Sequence, residues 1–356
     1  MGRFTIEKYN SIKLDGICRE GEELKGFCAT QLEHNPMPEW QTHIYQFILQ
    51  WLSPGDYVVA HTSGSTGIPK EIRLQKKYML ASAKKTVGYF NLTPEKTALL
   101  CLSANYIAGK MMLVRAFVGG FNLVLAEPTG TPLLGIPGSI DFAAMVPLQV
   151  YHSIPDCTKK IKSVIIGGGA VSSGLKKQLM GLPTRFYETY GMTETVSHVA
   201  IREIKAGCGF FKAMPNVFFE QDERGCLKII APDISEKKII TNDIVKLKNK
   251  HEFLFLGRYD SIINTGGVKI IPEEVEMKLA SVIKVPFVIS SLPDDKLGER
   301  VVMVLETSRG QVHLADFSSV LSKYEIPKEI KIIPNFPLTE TGKIKRGEVK
   351  RLISGM

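Results

Sequence analysis

The chain has 356 residues, 44% of them apolar, which is enough to bury a large core and sits more easily as two domains than as one. The formal charge of +9 comes from Lys and Arg interleaved with Asp and Glu rather than from a basic tail, which argues against a nucleic-acid partner and suits polyanionic small molecules. No apolar run reaches the roughly 18 residues of a membrane span, the start has no leader-like stretch, and the six cysteines form no C-x-x-C pair; the expectation is a cytoplasmic protein with reduced thiols and no membrane partner.

In chain order, Tyr57 to Ala60, Ala98 to Leu102, Leu123 to Ala126, Val164 to Ile166 and Arg185 to Thr189 read as short buried strands, each bounded by Gly, Pro or polar residues. Segments 75–89, 107–118 and 172–180 read as helices between them. Strands alternating with helices predict a large α/β N-terminal domain of layered sheets and helices over 1–257. The texture then changes. Pro272 followed by Glu273 and Glu274 starts a helix, with the acids facing its positive end. Strand-like runs at 285–289 and 300–305 follow, then a helix near 313–323, the run EIKII and a Lys/Arg-rich tail. These describe a small α+β C-terminal domain over 258–356.

Residues 62–70 put four hydroxyls beside two glycines and end in a lysine: Thr62, Ser63, Gly64, Ser65, Thr66, Gly67, Ile68, Pro69, Lys70. Glycines let backbone N–H groups converge on one anion, hydroxyls add donors, and the lysine adds a point charge, so the loop can wrap a polyphosphate. It is not a Walker A loop, because Ile68 and Pro69 intervene and an alternating strand, Glu71 to Leu74, follows. Here the chain resembles the acyl-adenylate-forming superfamily of acyl-CoA ligases, luciferases and peptide-synthetase adenylation domains, whose loop reads TSGSTGxPK. Glu71 stands where members usually carry Gly.

Further segments fit that resemblance in order. Tyr190-Gly191-Met192-Thr193-Glu194 is similar to YGxTE, which implies that Tyr190 stacks on adenine, Thr193 meets phosphate and Glu194 holds magnesium. Gly167-Gly168-Gly169-Ala170 follows an apolar strand, and by resemblance Gly168, Gly169 and Ala170 wall the other side of the adenine slot. Thr241-Asn242-Asp243 and Gly257-Arg258-Tyr259-Asp260 resemble TGD and GRxD, so Asp243 and Arg258 are expected at the ribose. The segment Thr339 to Arg346 resembles the terminal motif that carries the adenylation lysine, here Lys343. In the family the small domain rotates between half-reactions, which implies a hinge at Asp260 and a pantetheine channel for coenzyme A near Gly266 and Gly267.

The segment Ser103 to Arg115 occupies the family's acyl-pocket helix. Arg115 sits inside the apolar run MMLVRAFV, with no acid three or four residues away, so it must snorkel out or find an anion. The pattern resembles o-succinylbenzoate:CoA ligases, in which an arginine there receives the substrate's second carboxylate; Tyr106 stands where they carry His, and Ser197 is a further pocket candidate. The resemblance therefore implies an ATP-, Mg2+- and coenzyme A-dependent ligase that adenylates a small carboxylic acid, with room for a homo-oligomer. Two other readings stay open: an adenylation enzyme that loads another acid onto CoA or a carrier-protein thiol, and a non-catalytic nucleotide-binding descendant.

Overall fold

The computed structural model describes residues 6–34, 36–61, 71–280, 282–307, 317–339 and 344–356. The chain divides into two compact units: Met1–Val171, Leu175–Phe218 and Ile230–Ile239 form one, and Ser172–Gly174, Phe219–Ile229 and Ile240–Met356 form the other.

The first unit runs β1 (Ser11–Leu14), β2 (Ile17–Glu20), α1 (Gly21–His34), α2 (Glu39–Leu52), β3 (Tyr57–His61), β4 (Glu71–Gln75), α3 (Lys76–Phe90), β5 (Thr97–Leu100), α4 (Ile107–Gly119), β6 (Asn122–Leu125), β7 (Ile140–Met145), α5 (Pro147–Lys160), β8 (Ile161–Ile166), α6 (Ser173–Leu179), β9 (Arg185–Gly191), β10 (His198–Glu203) and β11 (Phe211–Ala213). Its sheet order is β11-β10-β9-β8-β7-β5-β6-β1-β2. The centre, β6 to β9, is parallel, and β10 turns back antiparallel on β9. Parallel strands need covered faces, and Val164, Ile166, Ala143 and Phe186 pack with Val150 and Cys157 of α5 and Leu175 and Leu179 of α6. The sequence-read strands and helices fall within a few residues of those observed. Helix α4 ends where Gly120 turns left-handed, φ 67°, and its N–H reaches the Ala116 carbonyl at 2.8 Å.

The second unit holds β12 (Phe218–Gln221), β13 (Cys226–Ile230), β14 (Ile239–Asn249) and β15 (Glu252–Arg258) in that order, then a five-stranded sheet of β16 (Ile263–Thr265), β17 (Val268–Ile270), β18 (Phe287–Asp294), β19 (Gly298–Glu306) and β20 (Glu329–Ile333), with α7 (Pro272–Leu279) and α8 (Arg346–Ser354). The run RVVMVL is continuous because both faces of β19 are covered. Val301, Met303 and Leu305 meet Val275 and Leu279 of α7, while Val302 and Val304 meet Val349 and Ile353 of α8. The helix expected near 313–323 is corrected where it is described: 317–323 is a turn in which Val320 and Leu321 both donate to the Phe317 carbonyl. One turn already buries Phe317 and Leu321, so nothing requires the helix to extend through 323.

Candidate active site

The expected phosphate-loop residues Thr62, Ser63, Gly64, Ser65, Thr66, Gly67 and Lys70, and Lys343, the expected adenylation lysine, lie outside the described residues. Both segments are bracketed by paired chain. His61 and Glu71 are register partners of the antiparallel β3–β4 pair, and Leu338 bridges Ile344.

In the first unit, the strand leaving the phosphate loop faces the Glu194 turn. Ile72, Arg73, Leu74 and Gln75 line a groove of about 350 Å³ with Glu194, Val196 and Glu236. Thr193 and Glu194 sit in a 3-10 turn whose buried Thr195 hydroxyl accepts from the Met192 N–H at 2.9 Å and donates to the Ser197 carbonyl at 2.7 Å. Val196 leaves the turn at φ 65°, a strained backbone for a β-branched residue. Among the described residues no three His, Cys, Asp or Glu gather to hold a metal. The exposed carboxylate of Glu194, with Glu236 lining the same groove, suits a magnesium ion that would take its other ligands from phosphates and water.

The expected adenine walls are neighbours. Strands β8 and β9 are parallel with Ile166 opposite Glu188, so Gly168, Gly169 and Ala170 and the pair Tyr190 and Gly191 emerge side by side at the carboxyl ends, where open α/β sheets take ligands. Glu188 anchors the exit of the glycine loop: buried, it accepts from Lys176 at 2.9 Å and Arg202 at 2.6 Å, and the Val171 N–H lies 3.4 Å away. Gly191 is required because a Cβ there would collide with the Ser197 carbonyl and come within 2.6 Å of the His198 Cα.

Beyond that turn lies the segment expected to receive the acid. Gly109 lets α4 close against the loop before it, since a Cβ would lie 2.7 Å from the Ala104 nitrogen. Lys110 staples the same loop by donating to the Ala104 and Asn105 carbonyls at 2.8 and 3.0 Å. Burial pushes its ammonium down to about 8. Tyr106 caps α4 with its backbone and is half-buried. Arg115 does not snorkel: it is 2% exposed, and burial pushes its guanidinium down to about 10. Among the described residues its Nη2 donates to Ser197 Oγ at 2.8 Å, Nη1 meets only the Met112 sulfur at 3.4 Å, and Nε has no partner. Among the described residues no carboxylate pairs with it. Sequence reasoning missed His198, buried one residue past Ser197, with Nδ1 3.4 Å from Ser197 Oγ and Nε2 3.4 Å from Thr86 Oγ1. A histidine at an inward position of an apolar strand was the available signal.

In the second unit, Asp243 and Arg258 are register partners of β14 and β15. Arg258 donates to Asp243 at 3.3 Å and clasps Asp260 with two bonds of 2.9 and 2.7 Å. The Asp243 N–H donates to the Thr241 hydroxyl at 3.1 Å, which fixes the turn. Gly266 and Gly267, φ 58° and 81°, form the two-residue turn of the β16–β17 hairpin, where both positions need φ above zero.

The chain belongs to the AMP-binding enzyme family, whose sequence pattern matches residues 19–217. It is an AMP-forming enzyme of the acyl-CoA ligase type. A solved structure from Dyadobacter fermentans, described as an acyl-CoA synthetase (AMP-forming)/AMP-acid ligase II-like protein, is 34% identical with a TM-score of 0.62, and the match covers 93% of this chain and 98% of that one. The 2-succinylbenzoate–CoA ligase of Listeria monocytogenes is 25% identical over 82% of this chain and 69% of its own length. The o-succinylbenzoate coenzyme A synthetase of Bacillus subtilis, solved with ATP and magnesium, shares the fold with a TM-score of 0.69 at 21% identity, over 82% of this chain and 69% of that one.

Proposed function

We propose that this enzyme converts o-succinylbenzoate, ATP and coenzyme A into o-succinylbenzoyl-CoA, AMP and pyrophosphate. A carboxylate oxygen attacks the α-phosphorus and pyrophosphate leaves; the CoA thiol then attacks the acyl carbon and AMP leaves. The observation that carries the reading is Arg115, buried with no carboxylate among the described residues and with Nε unpartnered. A planar fork of donors in an apolar helix suits a second substrate carboxylate held bidentate away from water. The names of the Listeria and Bacillus relatives support the same acid.

The remaining roles are proposals of the same kind. Thr62 to Gly67 and Lys70 cradle the phosphates, and Glu194 holds magnesium, which screens their charge. Tyr190 and the Gly168 to Ala170 backbone hold adenine, and Asp243 and Arg258 hold the ribose. Lys343 neutralises the approaching anions, so Lys343→Ala should stop adenylation and spare thioester formation from supplied acyl-adenylate. The segment 258–356 turns about Asp260 relative to 1–257, with Gly266 and Gly267 at the pantetheine channel. The test of substrate is a panel of aryl acids in a CoA-dependent AMP-release assay. Preference for o-succinylbenzoate over acids lacking the second carboxylate is expected; equal use of both classes would leave only a generic acid:thiol ligase.

A further inference from the structure

A chain of hydrogen bonds runs through the buried wall behind Arg115, and its direction follows from which atoms can donate. Thr86, on α3, lies 3.4 Å from the Ser82 carbonyl, which can only accept, so the threonine proton is committed there. Thr86 Oγ1 then offers His198 only lone pairs, and the proton of the imidazole must sit on Nε2. That leaves Nδ1 as an acceptor for the Ser197 hydroxyl, whose oxygen in turn accepts from Arg115 Nη2 at 2.8 Å. The opposite tautomer would strand two groups. Nδ1–H would meet Ser197 Oγ, leaving the serine proton facing a guanidinium that cannot accept it, and Nε2 would compete with Ser82 for the Thr86 proton. A doubly protonated ring would add a second cation beside Arg115; burial, followed by the Arg115 charge, pushes His198 down to about 3.

We propose that His198 is a positioning residue for acid specificity: as the neutral Nε2–H tautomer it orients the Ser197 hydroxyl, which holds the Arg115 guanidinium with Nε left for a second substrate carboxylate. This rests on the reading of Arg115 as the receptor for that carboxylate. His198 touches no substrate; it acts through Ser197. Losing an orienting hydrogen bond of this kind weakens binding about tenfold.

Nitrogen NMR of histidine-labelled enzyme, with the His198 signals assigned by their loss in His198→Gln, should show the Nε2–H tautomer and no titration between pH 8 and pH 5. His198→Leu should raise KM for o-succinylbenzoate about tenfold, with kcat changed less than about threefold and KM for a monocarboxylic aryl acid unchanged. His198→Asn, whose Oδ1 can replace the Nδ1 acceptor, should restore most of the loss. The Nδ1–H tautomer, titration within that range, or an equal or absent KM change across both acid classes would overturn the proposal. Should His198→Leu fail to fold, Thr86→Val tests the same relay by removing the Nε2 acceptor: KM for o-succinylbenzoate should rise while KM for a monocarboxylic aryl acid stays unchanged, and an equal or absent change would overturn the proposal. If the wild-type enzyme ignores o-succinylbenzoate, the substrate reading falls by itself, and the tautomer still decides the relay.

Discussion

Two arginines of this enzyme live under opposite rules. Arg115 is 2% exposed, without a carboxylate among the described residues, while the Arg258 side chain is 39% exposed and held by Asp243 and Asp260. A charge buried without its counter-charge costs the fold several kcal/mol, whereas a half-exposed arginine between two carboxylates costs little. The lesson concerns purpose. Arg258 carries its counter-charges within the fold, while Arg115 has none among the described residues and, on the proposed reading, receives one from the substrate.

The sharpest way to break that contrast is Arg115→Leu. It should weaken use of an acid with a second carboxylate by about 2–5 kcal/mol, roughly 30-fold to several thousand-fold in kcat/KM, and leave monocarboxylic aryl acids unaffected. The same change should leave the unliganded fold as stable or more stable in urea titration, because an apolar residue of similar volume removes an uncompensated buried charge. Loss of stability together with a uniform loss of activity would mean that Arg115 is structural. Next in size, Asp243→Asn should raise KM for ATP by the equivalent of about 1–3 kcal/mol without altering acid preference, since it weakens the Arg258 cluster only. Steady-state kinetics with ATP varied would check it, and a change in acid selectivity would count against separate roles.

A smaller effect distinguishes Arg115 from its helix neighbour Lys110, which is buried but satisfied by carbonyls. Its folded-state pKa, down to about 8, lies below the ordinary lysine value of 10.5. Between pH 8 and pH 10.5 the unfolded chain therefore still binds a proton that the folded chain has released, and stability should rise with pH across that window. Lys110→Met should flatten the rise in denaturation midpoints, although Lys76, also pushed down to about 8 by burial, will keep part of it. The least effect on stability is expected for Asp260→Ala, because a carboxylate that is 53% exposed contributes at most about 1 kcal/mol. If Asp260 is the hinge, the thioester half-reaction should slow while pyrophosphate exchange does not; equal rates in both would move the hinge elsewhere.

Residue order along the chain was enough to delimit the short buried strands, to start α7 at Pro272, and to mark Arg115 as a cation without a local partner, because each depends on neighbours within a few positions. The same locality misled the reading near 313–323: Phe317 and Leu321 have helical spacing, but a single turn satisfies it. The motif residues were recognisable as types without revealing how they engage one another. That Ser197 reaches Arg115 across 82 residues, that Thr86 dictates the tautomer of His198, and that Asp243 meets Arg258 follow from β10 reversing against β9, from α3 packing on α4, and from the register of the β14–β15 hairpin. Local sequence sets which backbone shapes and which charges are available. Only tertiary packing decides which buried donors find acceptors and which are left for a ligand, because that depends on groups brought together from distant parts of the chain.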